Sequence, residues 1–404
     1  MNPDPPSSTW AQKALTHARH LARTPRGSTT RAEAQAAAYV RQQLEKLGAQ
    51  NLRLQPFQGL RSLWLFMAQA YGLALVGHAA YWLLRQPFGA PAALLVMAAA
   101  FGLSGVMLWR KFTFRDYPLR SILPHGPSQN VIATLPPRRT VKQRLVLVGH
   151  LDSHRAVFWF AHDWLVTAFA ISEPFAIYGV LAAPLYYLAA FLTGWSLFGW
   201  LGAFLALVHF ATWFTGVTAD LGPYSPGAND NASAVGTVLA LAERLRQEPL
   251  ENTEVWLALT GCEETGCDGM RTFLQAYGEQ LKDALVLDFE LVGIGEQLVY
   301  LHDEGVVRRR SIAPDVERLV QAAGAPFGLR PASTLTTGAF TEAGTAWEHG
   351  FRAVCLLVQR NASRLMPQWH RLTDTGERLE EAALRRVHDL AWAILKQVDE
   401  RDSF

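Results

Sequence analysis

Five short polar segments stand out in this sequence because their side chains are of the types that bind metal ions. In chain order they are residues 149–153 (GHLDS), 227–231 (GANDN), 261–266 (GCEETG), 287–290 (LDFE) and 369–375 (WHRLTDT). Together they supply two histidines and several carboxylates, with no evident cysteine ligand. Imidazole nitrogen and carboxylate oxygen suit zinc or a similar divalent ion. Because there are enough ligands for two ions, the set predicts a hydrolase in which a shared water becomes the nucleophile.

The spacing within two of these segments indicates which residues could bind metal and which could orient a ligand or accept a proton. His150 and Asp152 are two residues apart, so on a strand they point the same way, and the carboxylate can fix the tautomer of the imidazole. Glu263 and Glu264 are adjacent and cannot face the same way on a strand. Beside a turn, one of them can bind metal while the other takes a proton from the water.

Each segment taken alone also has an ordinary explanation. A His-x-Asp triplet is often only a hydrogen-bonded polar pair, and two adjacent glutamates usually lie on a solvated surface. An Asp-Asn pair before a helix is commonly an N-cap, and a histidine followed by Asp-Thr often only begins a helix. Five such segments in one order, most of them at a predicted strand end or helix start, favour a functional site.

Predicted strands and helices alternate along the parts of the chain that carry these segments. Alternating patterns or short apolar runs predict strands at residues 52–57, 130–135, 144–149, 254–260, 284–291, 297–302 and 353–358. Helical spacing predicts two helices within residues 10–47, and others at 231–246, 270–281, 314–323 and 377–398. This order predicts a largely parallel α/β sheet covered on both faces. Ligands bind at the carboxyl ends of strands in such sheets, so we expect the polar segments to converge there.

Two blocks of the chain are far more apolar than the rest. Residues 63–84, 88–109, 174–192 and 195–217 contain no Asp, Glu, Lys or Arg, and Arg85 lies in the short break between the first two stretches. Each stretch is long enough to cross a bilayer core of ~30 Å as a helix, and they pair into two hairpins. Core helices of a large soluble protein are the alternative. Residues 157–171 are predicted to be interfacial or to form a lid helix.

The overall composition narrows the classes of partner and compartment. A formal net charge of +2 over 404 residues, with no basic stripe, argues against nucleic acid as a partner. Half of the residues are hydrophobic and 18% are charged, which is rich in apolar residues for a soluble enzyme. Three cysteines form no disulfide framework and no paired Cys-x-x-Cys zinc site. The first residues lack the pattern of a cleaved secretory signal.

The order of the five segments, HxD, GANDN, GxEExG, LDxE and HxxxDT, resembles the zinc aminopeptidase family of metallopeptidases, family twenty-eight in the classification of peptidases. That family also includes glutaminyl cyclases and glutamate carboxypeptidase. The resemblance covers residues 23–57, 125–155 and 220–400. It implies a mixed, mainly parallel sheet flanked by helices, and a site that holds two zinc ions or other divalent ions.

The resemblance also implies a role for each site residue. His150 and Asp288 would hold one zinc, Glu264 and His370 the other, and Asp230 would bridge both. Glu263 would be the general base, and Asp152 would orient His150. Glu290 follows Asp288 by two residues on the same strand face, so either could be the ligand, and the Leu-Asp pattern of the family favours Asp288.

The sequence departs from the family pattern in two insertions and one missing pair. We predict a catalytic domain formed by residues 1–57, 113–155 and 220–404, with transmembrane hairpins inserted at 58–112 and 156–219. Many relatives have a Ser-Asp pair near residues 336–340, where this chain has TTGAF. Because that pair is absent here, the resemblance does not predict the form of the substrate pocket.

The function predicted from these features is removal of N-terminal residues from peptides by a membrane-bound enzyme. The alternatives are a glutaminyl cyclase-like acyltransferase with one zinc, a carboxypeptidase, and an inactive membrane-bound scaffold, although no expected ligand is missing. The predicted partners are a peptide substrate and a lipid bilayer. The apolar stretches are flanked on the catalytic side by Arg53, Arg61, Arg110, Lys111, Arg115 and Arg120, whereas the far loops contain only Arg85. This bias predicts a cytoplasmic catalytic domain.

Overall fold

The computed structural model describes residues 7–333, 339–360 and 366–401. Its α-helices are α1 (Ser7–Leu21), α2 (Arg31–Lys46), α3 (Leu63–Ala79), α4 (Arg85–Phe88), α5 (Ala90–Lys111), α6 (Asp163–Thr193), α7 (Ser196–Thr218), α8 (Ser233–Gln247), α9 (Asp268–Leu281), α10 (Pro314–Gly324), α11 (Glu342–Glu348) and α12 (Glu381–Asp399). Its strands are β1 (Gln50–Leu60), β2 (His125–Leu135), β3 (Gln143–His150), β4 (Thr253–Thr260), β5 (Leu285–Phe289), β6 (Gln297–Glu304), β7 (Arg310–Ser311), β8 (Arg330–Ser333) and β9 (Arg352–Gln359).

All of these strands belong to one mixed sheet with the order β1-β2-β4-β3-β5-β9-β6-β7, in which β8 also pairs with β6. The central pairs β4-β3, β3-β5 and β5-β9 are parallel, whereas β1-β2, β2-β4 and β9-β6 are antiparallel. The parallel strands are almost wholly buried, as expected for strands rich in Val and Leu that are covered on both faces. The predicted fold class, a mixed and mainly parallel sheet flanked by helices, is confirmed.

Helices cover both faces of the sheet. On one face Trp256 of β4 packs against Phe273 and Tyr277 of α9. On the other face Gly149 of β3 lies so close to α8 that a side-chain carbon there would be 3.2 Å from Cβ of Ala234. Glycine at the end of β3 therefore permits α8 to approach the sheet, and α8 begins directly beside the polar segments.

The two apolar blocks form four long helices, α3, α5, α6 and α7, which pack on one another and are called the helical bundle below. A π-helical turn (Ala80–Leu84) continues α3. All four are long and apolar enough to cross a membrane. Many large apolar side chains lie on the outer surface of the bundle, among them Leu83 (69% exposed), Leu95 (72%) and Trp200 (69%).

One feature of the bundle differs from the sequence-based expectation. Residues 163–171 are not a separate lid or interfacial helix, because they form the first turns of α6. Pro174 and Pro184 both lie inside this 31-residue helix. The apolar stretch predicted at residues 174–192 is therefore part of a longer helix, because a proline can lie inside an apolar helix whose neighbours compensate for the missing hydrogen bond. Strands β7 and β8 and the short helix α11 were not predicted.

The rest of the described chain, built around the nine strands, is called the sheet domain below, and polar contacts join it to the base of the helical bundle. The Ser62 hydroxyl, just before α3, donates to Asp220 Oδ1 at 2.8 Å, just after α7. Lys111, the last residue of α5, donates to the carbonyl oxygen of Thr265. Thr265 directly follows Glu263 and Glu264, so the base of the bundle lies against the polar segments.

Candidate metal centre

Polar side chains from five segments meet at the carboxyl edge of the parallel strands. His150 is the last residue of β3, Glu263 and Glu264 follow the end of β4, and Glu290 follows the end of β5. Asp230 precedes α8, and His370 lies in the connection between β9 and α12. The sequence had placed the His370 segment at the start of the last helix, but α12 begins only at Glu381. Every one of these six side chains is buried.

A first group of potential ligands surrounds the Nε2 atom of His150. This atom lies 3.4 Å from Asp230 Oδ1 and 3.5 Å from Glu290 Oε2. Its distance to Glu263 Oε2 is 3.8 Å. The three side chains of His150, Asp230 and Glu290 are close enough together to hold one metal ion.

A second group surrounds the Nε2 atom of His370. It lies 3.3 Å from Asp230 Oδ2 and 3.3 Å from Glu264 Oε2. His154, Glu264 and His370 are also close enough together to hold an ion. The two oxygens of Asp230 thus face different histidines, which is the arrangement required of a carboxylate that bridges two ions.

Asp288 does not lie in either group, although the sequence favoured it over Glu290. Its Oδ2 atom accepts a hydrogen bond from the backbone N–H of Ala343 at 3.0 Å. Asp288 lies within β5 and pairs in register with Cys355 of β9, whereas Glu290 lies beyond the end of the strand. Both residues face the same side, but only the one past the strand end extends into the crevice. The structure therefore favours Glu290, the alternative that the sequence had left open.

Asp152 contacts both ends of the site. His150 Nδ1 lies 3.1 Å from the carbonyl oxygen of Asp152 and 3.5 Å from its Oδ1 atom, so this nitrogen carries the proton and Nε2 is left to bind a ligand. The Asp152 carboxylate also accepts from the backbone N–H groups of Glu263 (3.1 Å) and Glu264 (3.2 Å), and from the Ser28 hydroxyl at 2.6 Å. One side chain thus fixes the imidazole and the turn that carries both glutamates.

The charges in this crevice fit the binding of cations. Burial and neighbouring carboxylates raise the pKa of Glu290 to about 8 and that of Glu264 to about 7. Burial also raises the pKa of Glu263 well above its usual range. Burial alone would lower the pKa of His370, but Glu264 and Asp230 outweigh it and raise the value to about 9. Carboxylates crowded in this way are stabilised as anions by a bound metal ion.

Unpaired oxygen atoms also indicate that the crevice is suited to binding cations. Among the described residues, Glu264 Oε1 and Glu290 Oε1 are buried and accept no hydrogen bond. Buried charged groups are normally paired or bound to metals, because an unpaired one costs several kcal/mol. The donor set of imidazole and carboxylate, with no thiolate, suits zinc or a related divalent ion.

The structure adds three residues that the sequence analysis did not assign. Asp374, in the Asp-Thr pair after His370, accepts from the backbone N–H groups of Asn229 (2.8 Å) and Asp230 (3.1 Å). The buried Arg26 guanidinium donates to the carbonyl oxygens of Leu151 and Gly227, among others. The third residue is His154. Asp374 lies in the last of the five segments, but only the folded chain reveals the partners of Asp374 and Arg26.

His154 stacks on His370, with their ring centroids 3.7 Å apart and their planes 16° from parallel. Its Nδ1 atom lies 2.8 Å from the carbonyl oxygen of Arg155, so Nε2 is directed away from the backbone. It follows His150 by four residues, beyond the end of β3, where no regular spacing relates the two. No sequence signal distinguished His154 from an ordinary buried histidine.

The backbone of the Asp230 segment is held in an unusual form. Gly227 has a φ of +64°, and a side chain there would place Cβ 2.6 Å from Cβ of Ser153. The peptide bond between Asp230 and Asn231 is cis. The Asn231 side chain donates to the carbonyl oxygen of Phe289 at 2.8 Å and so joins this segment to the end of β5.

The metal centre opens into a crevice whose walls come from both parts of the molecule. Trp64 and Met67 of α3 and Phe169 and Glu173 of α6 line it together with the histidines and glutamates of the sheet domain. Its cavity volume is about 80 Å³. The segment at residues 336–340, which the sequence connected with the substrate pocket, falls mostly outside the described residues, apart from Ala339 and Phe340, which line the crevice.

Comparison with known proteins agrees with the resemblance that the five segments indicated. The family model for peptidase family M28 matches residues 205–395. An aminopeptidase from Aneurinibacillus sp. strain AM-1 superposes with a TM-score of 0.56 at 15% identity, covering 96% of this chain and 93% of that one. No curated protein matches this chain in sequence.

Two further solved structures are similar. BSAP, a zinc aminopeptidase from Bacillus subtilis, superposes with a TM-score of 0.55 at 14% identity, covering 97% of each chain. A glutaminyl cyclase from Bacteroides thetaiotaomicron also gives a TM-score of 0.55, at 15% identity, covering 96% of this chain and 97% of that one. At these identities the superpositions concern the fold, and together with the family match they confirm the resemblance predicted from the five motifs.

Proposed function

Because the model of peptidase family M28 matches residues 205–395 of this chain, we propose that the protein is a two-metal aminopeptidase that removes N-terminal residues from peptides. The observation that carries the proposal is Asp230, whose two oxygens face His150 at 3.4 Å and His370 at 3.3 Å. His150, Asp230 and Glu290 would hold one zinc ion, and Asp230, Glu264 and His370 the other. Two bound zinc ions would polarise the substrate carbonyl and lower the pKa of a water molecule.

Glu263 is the proposed general base. Its Oε2 atom is 3.8 Å from His150 Nε2, at the edge of the first group of ligands, and its Oε1 atom accepts from the Cys267 thiol at 3.3 Å. It would take a proton as water attacks the carbonyl, and deliver that proton to the amine that leaves when the C–N bond breaks. Asp152 and Asp374 would act as positioning residues, because they hold the glutamate turn and the backbone of Asp230 in place.

The proposed location is a membrane, with the helical bundle crossing it. This rests on four apolar helices and on the apolar outer surface of the bundle, where Leu181 is 62% exposed and Leu192 is 72% exposed. Residues 58–112 and 156–219 would be the membrane inserts, and the remaining chain the catalytic domain. The positive residues near the base of the bundle favour a cytoplasmic catalytic domain. A reporter fused after Phe404 that is active only outside the cytoplasm, or release of the protein by carbonate washing, would contradict this location.

The activity is tested with the purified, detergent-solubilised protein and pairs of aminoacyl and N-acetyl-aminoacyl anilides. We expect hydrolysis of the free-amine substrates only, with loss of activity on chelation and recovery on addition of zinc. Cleavage of the blocked substrates alone would contradict an aminopeptidase. Cyclisation of peptides with N-terminal glutamine, by a protein holding one zinc per chain, would instead identify the glutaminyl cyclase-like alternative.

A further inference from the structure

A second cavity lies inside the helical bundle, next to the metal centre. It has a volume of about 260 Å³ and is enclosed by α3, α6 and α7. We call it the bundle chamber. Met67 and Tyr71 of α3, Phe169 and Ala176 of α6, and Ala211 of α7 are among its walls. An apolar cavity of about 150 Å³ is large enough for benzene, so the bundle chamber has room for a hydrocarbon chain.

The bundle chamber and the metal-centre crevice have walls in common. Trp64, Met67, Phe169 and Glu173 line both cavities. The crevice is also lined by His150, His370 and the glutamates of the centre. A molecule whose amide bond lies at the metal centre can therefore extend an attached group past these shared side chains into the chamber.

Three of the four hydroxyl groups in the described walls of the chamber donate within their own helix, and the fourth, on Tyr71, is buried without a hydrogen-bond partner among the described residues. The hydroxyls of Thr212 and Thr215 donate to carbonyl oxygens of their own helix, at 3.0 and 2.9 Å. The Ser172 hydroxyl does the same toward Phe169, at 3.0 Å. Among the described residues that line the chamber, Glu173 is the one Asp, Glu, Lys, Arg or His, and it lies at the boundary with the crevice. A polar chain would lose its hydrogen bonds to water and find few partners inside the chamber. An apolar chain would displace water without losing hydrogen bonds.

The chamber also reaches the outer surface of the bundle. Leu207, which is 69% exposed, and the exposed Ala211 belong to its walls and to the outer face of α7. An apolar group can therefore pass between the apolar exterior of the bundle and the chamber without crossing a polar layer.

We infer that the substrates of this protein are amphipathic amides whose N-terminal residue carries a long hydrocarbon side chain, and that the bundle chamber holds that chain during hydrolysis. The inference rests on the proposed aminopeptidase function. Water adds to the amide carbonyl, the C–N bond breaks, and the proton from the water is transferred to the leaving amine.

The first test is the chain-length dependence of the unmodified, metal-loaded protein. The substrates are anilides of straight-chain α-amino acids, from alanyl through norleucyl to 2-aminododecanoyl. All are assayed at one fixed detergent concentration. Burial of each methylene should raise kcat/KM by about three- to fourfold until the chamber is filled. A kcat/KM that does not rise with chain length would overturn the inference while leaving the aminopeptidase function intact. Failure to cleave any of these substrates would overturn the proposed function itself, and the inference with it.

The second test fills the chamber by substitution. Ala211→Trp places a large ring in the wall from an exposed position on α7, and Ala206→Trp is the matched control on the same helix outside the described walls of both cavities. We expect Ala211→Trp to leave kcat/KM for the alanyl substrate within about twofold of the unmodified protein. For the longest substrate it should lower kcat/KM by at least tenfold.

The control variant should keep the full chain-length dependence. Equal chain-length profiles for Ala211→Trp and Ala206→Trp, with both proteins active on the alanyl substrate, would overturn the assignment of the chamber. If Ala211→Trp lost activity on every substrate, Ala176→Met would narrow the same chamber from α6, and the same chain-length profile would decide.

Discussion

The sheet domain and the helical bundle place their polar and apolar side chains in opposite ways. The sheet domain buries Val, Leu and Ala around its strands and gathers carboxylates and histidines into one crevice. The bundle exposes Leu83, Leu95 and Trp200 on its surface and buries a hydrogen-bonded set of polar rings. Such an inversion is expected where the surrounding solvent is hydrocarbon, because polar groups then find partners only inside.

The buried polar rings of the bundle form a continuous hydrogen-bonded series. Tyr187 OH and His78 Nδ1 are 2.7 Å apart, His78 Nε2 and His209 Nδ1 are 2.9 Å apart, and His209 Nε2 lies 3.0 Å from the carbonyl oxygen of Ala176. One direction of donation satisfies every atom, from Tyr187 through His78 and His209 to the carbonyl. This series links α3, α6 and α7, whereas the polar side chains of the crevice converge on a space that a ligand can occupy. The contrast predicts a structural role for the first set and a chemical role for the second.

The largest expected effect comes from Glu263 in the crevice. Glu263→Gln keeps the shape of the side chain but removes the proton acceptor, so kcat should fall by about 10²–10⁴-fold with little change in KM. Metal content should stay at the level of the unmodified protein. Steady-state kinetics and metal analysis of the same preparation measure both quantities.

Two comparisons make the Glu263 result decisive. Glu279→Gln, an exposed glutamate on α9, should be as active as the unmodified protein. Glu264→Gln should lose metal and recover part of its activity with added zinc. A slow Glu264→Gln variant with full metal, beside a Glu263→Gln variant that has lost metal, would reverse the two roles.

A smaller effect separates Glu290 from Asp288. Glu290→Gln should weaken binding of one metal ion by more than about tenfold, the lower end of the losses found even for outer contacts of metal ligands. Asp288→Asn, which keeps the side-chain oxygen that accepts from Ala343, should change metal affinity less than Glu290→Gln does. Titration of the metal-free protein with zinc in the presence of a competing chelator measures both constants. A greater loss in Asp288→Asn would return the ligand role to Asp288.

The smallest expected effect lies in the bundle. His78→Phe removes the central hydrogen bonds of the polar series, and interhelical hydrogen bonds of this kind contribute about 0.6–1.7 kcal/mol. The free energy of unfolding in lipid or detergent should fall by about that amount, with kcat/KM for the alanyl substrate unchanged. Leu181→Phe on the outer surface is the control and should alter neither. A loss of kcat without a loss of stability in His78→Phe would mean that the polar rings take part in the chemistry.

The sequence predicted the fold class and most of the crevice because both depend on local patterns. Strand and helix periodicity led to the sheet, and four of the five segments ended a strand or began a helix as predicted; the His370 segment lies before α12 instead. The choice between Asp288 and Glu290 depended on the residue at which β5 ends, and this is set by its register with β9, a strand about 60 residues away in the sequence. Sequence spacing alone placed both on the same face.

Other features depended on contacts between distant segments. His154 lies in the crevice because the chain turns after β3 and stacks its ring on His370, more than 200 residues later in the sequence. Helix α6 begins at Asp163, where Arg371 from the His370 segment forms an ion pair with that aspartate. The bundle chamber exists only because α3, α6 and α7, from two separate insertions, pack together next to the crevice.

Metal analysis of Asp230→Ala tests the central claim most directly, because Asp230, alone among the described residues, has one oxygen beside each of the two histidines. The unmodified protein should hold two ions per chain after dialysis against metal-free buffer. The Asp230→Ala variant should lose both ions, or keep one that is easily removed, since the remaining carboxylates repel one another when fewer cations are bound. Its folded state is checked by its thermal unfolding transition. Two tightly bound ions in a folded Asp230→Ala variant would contradict the account.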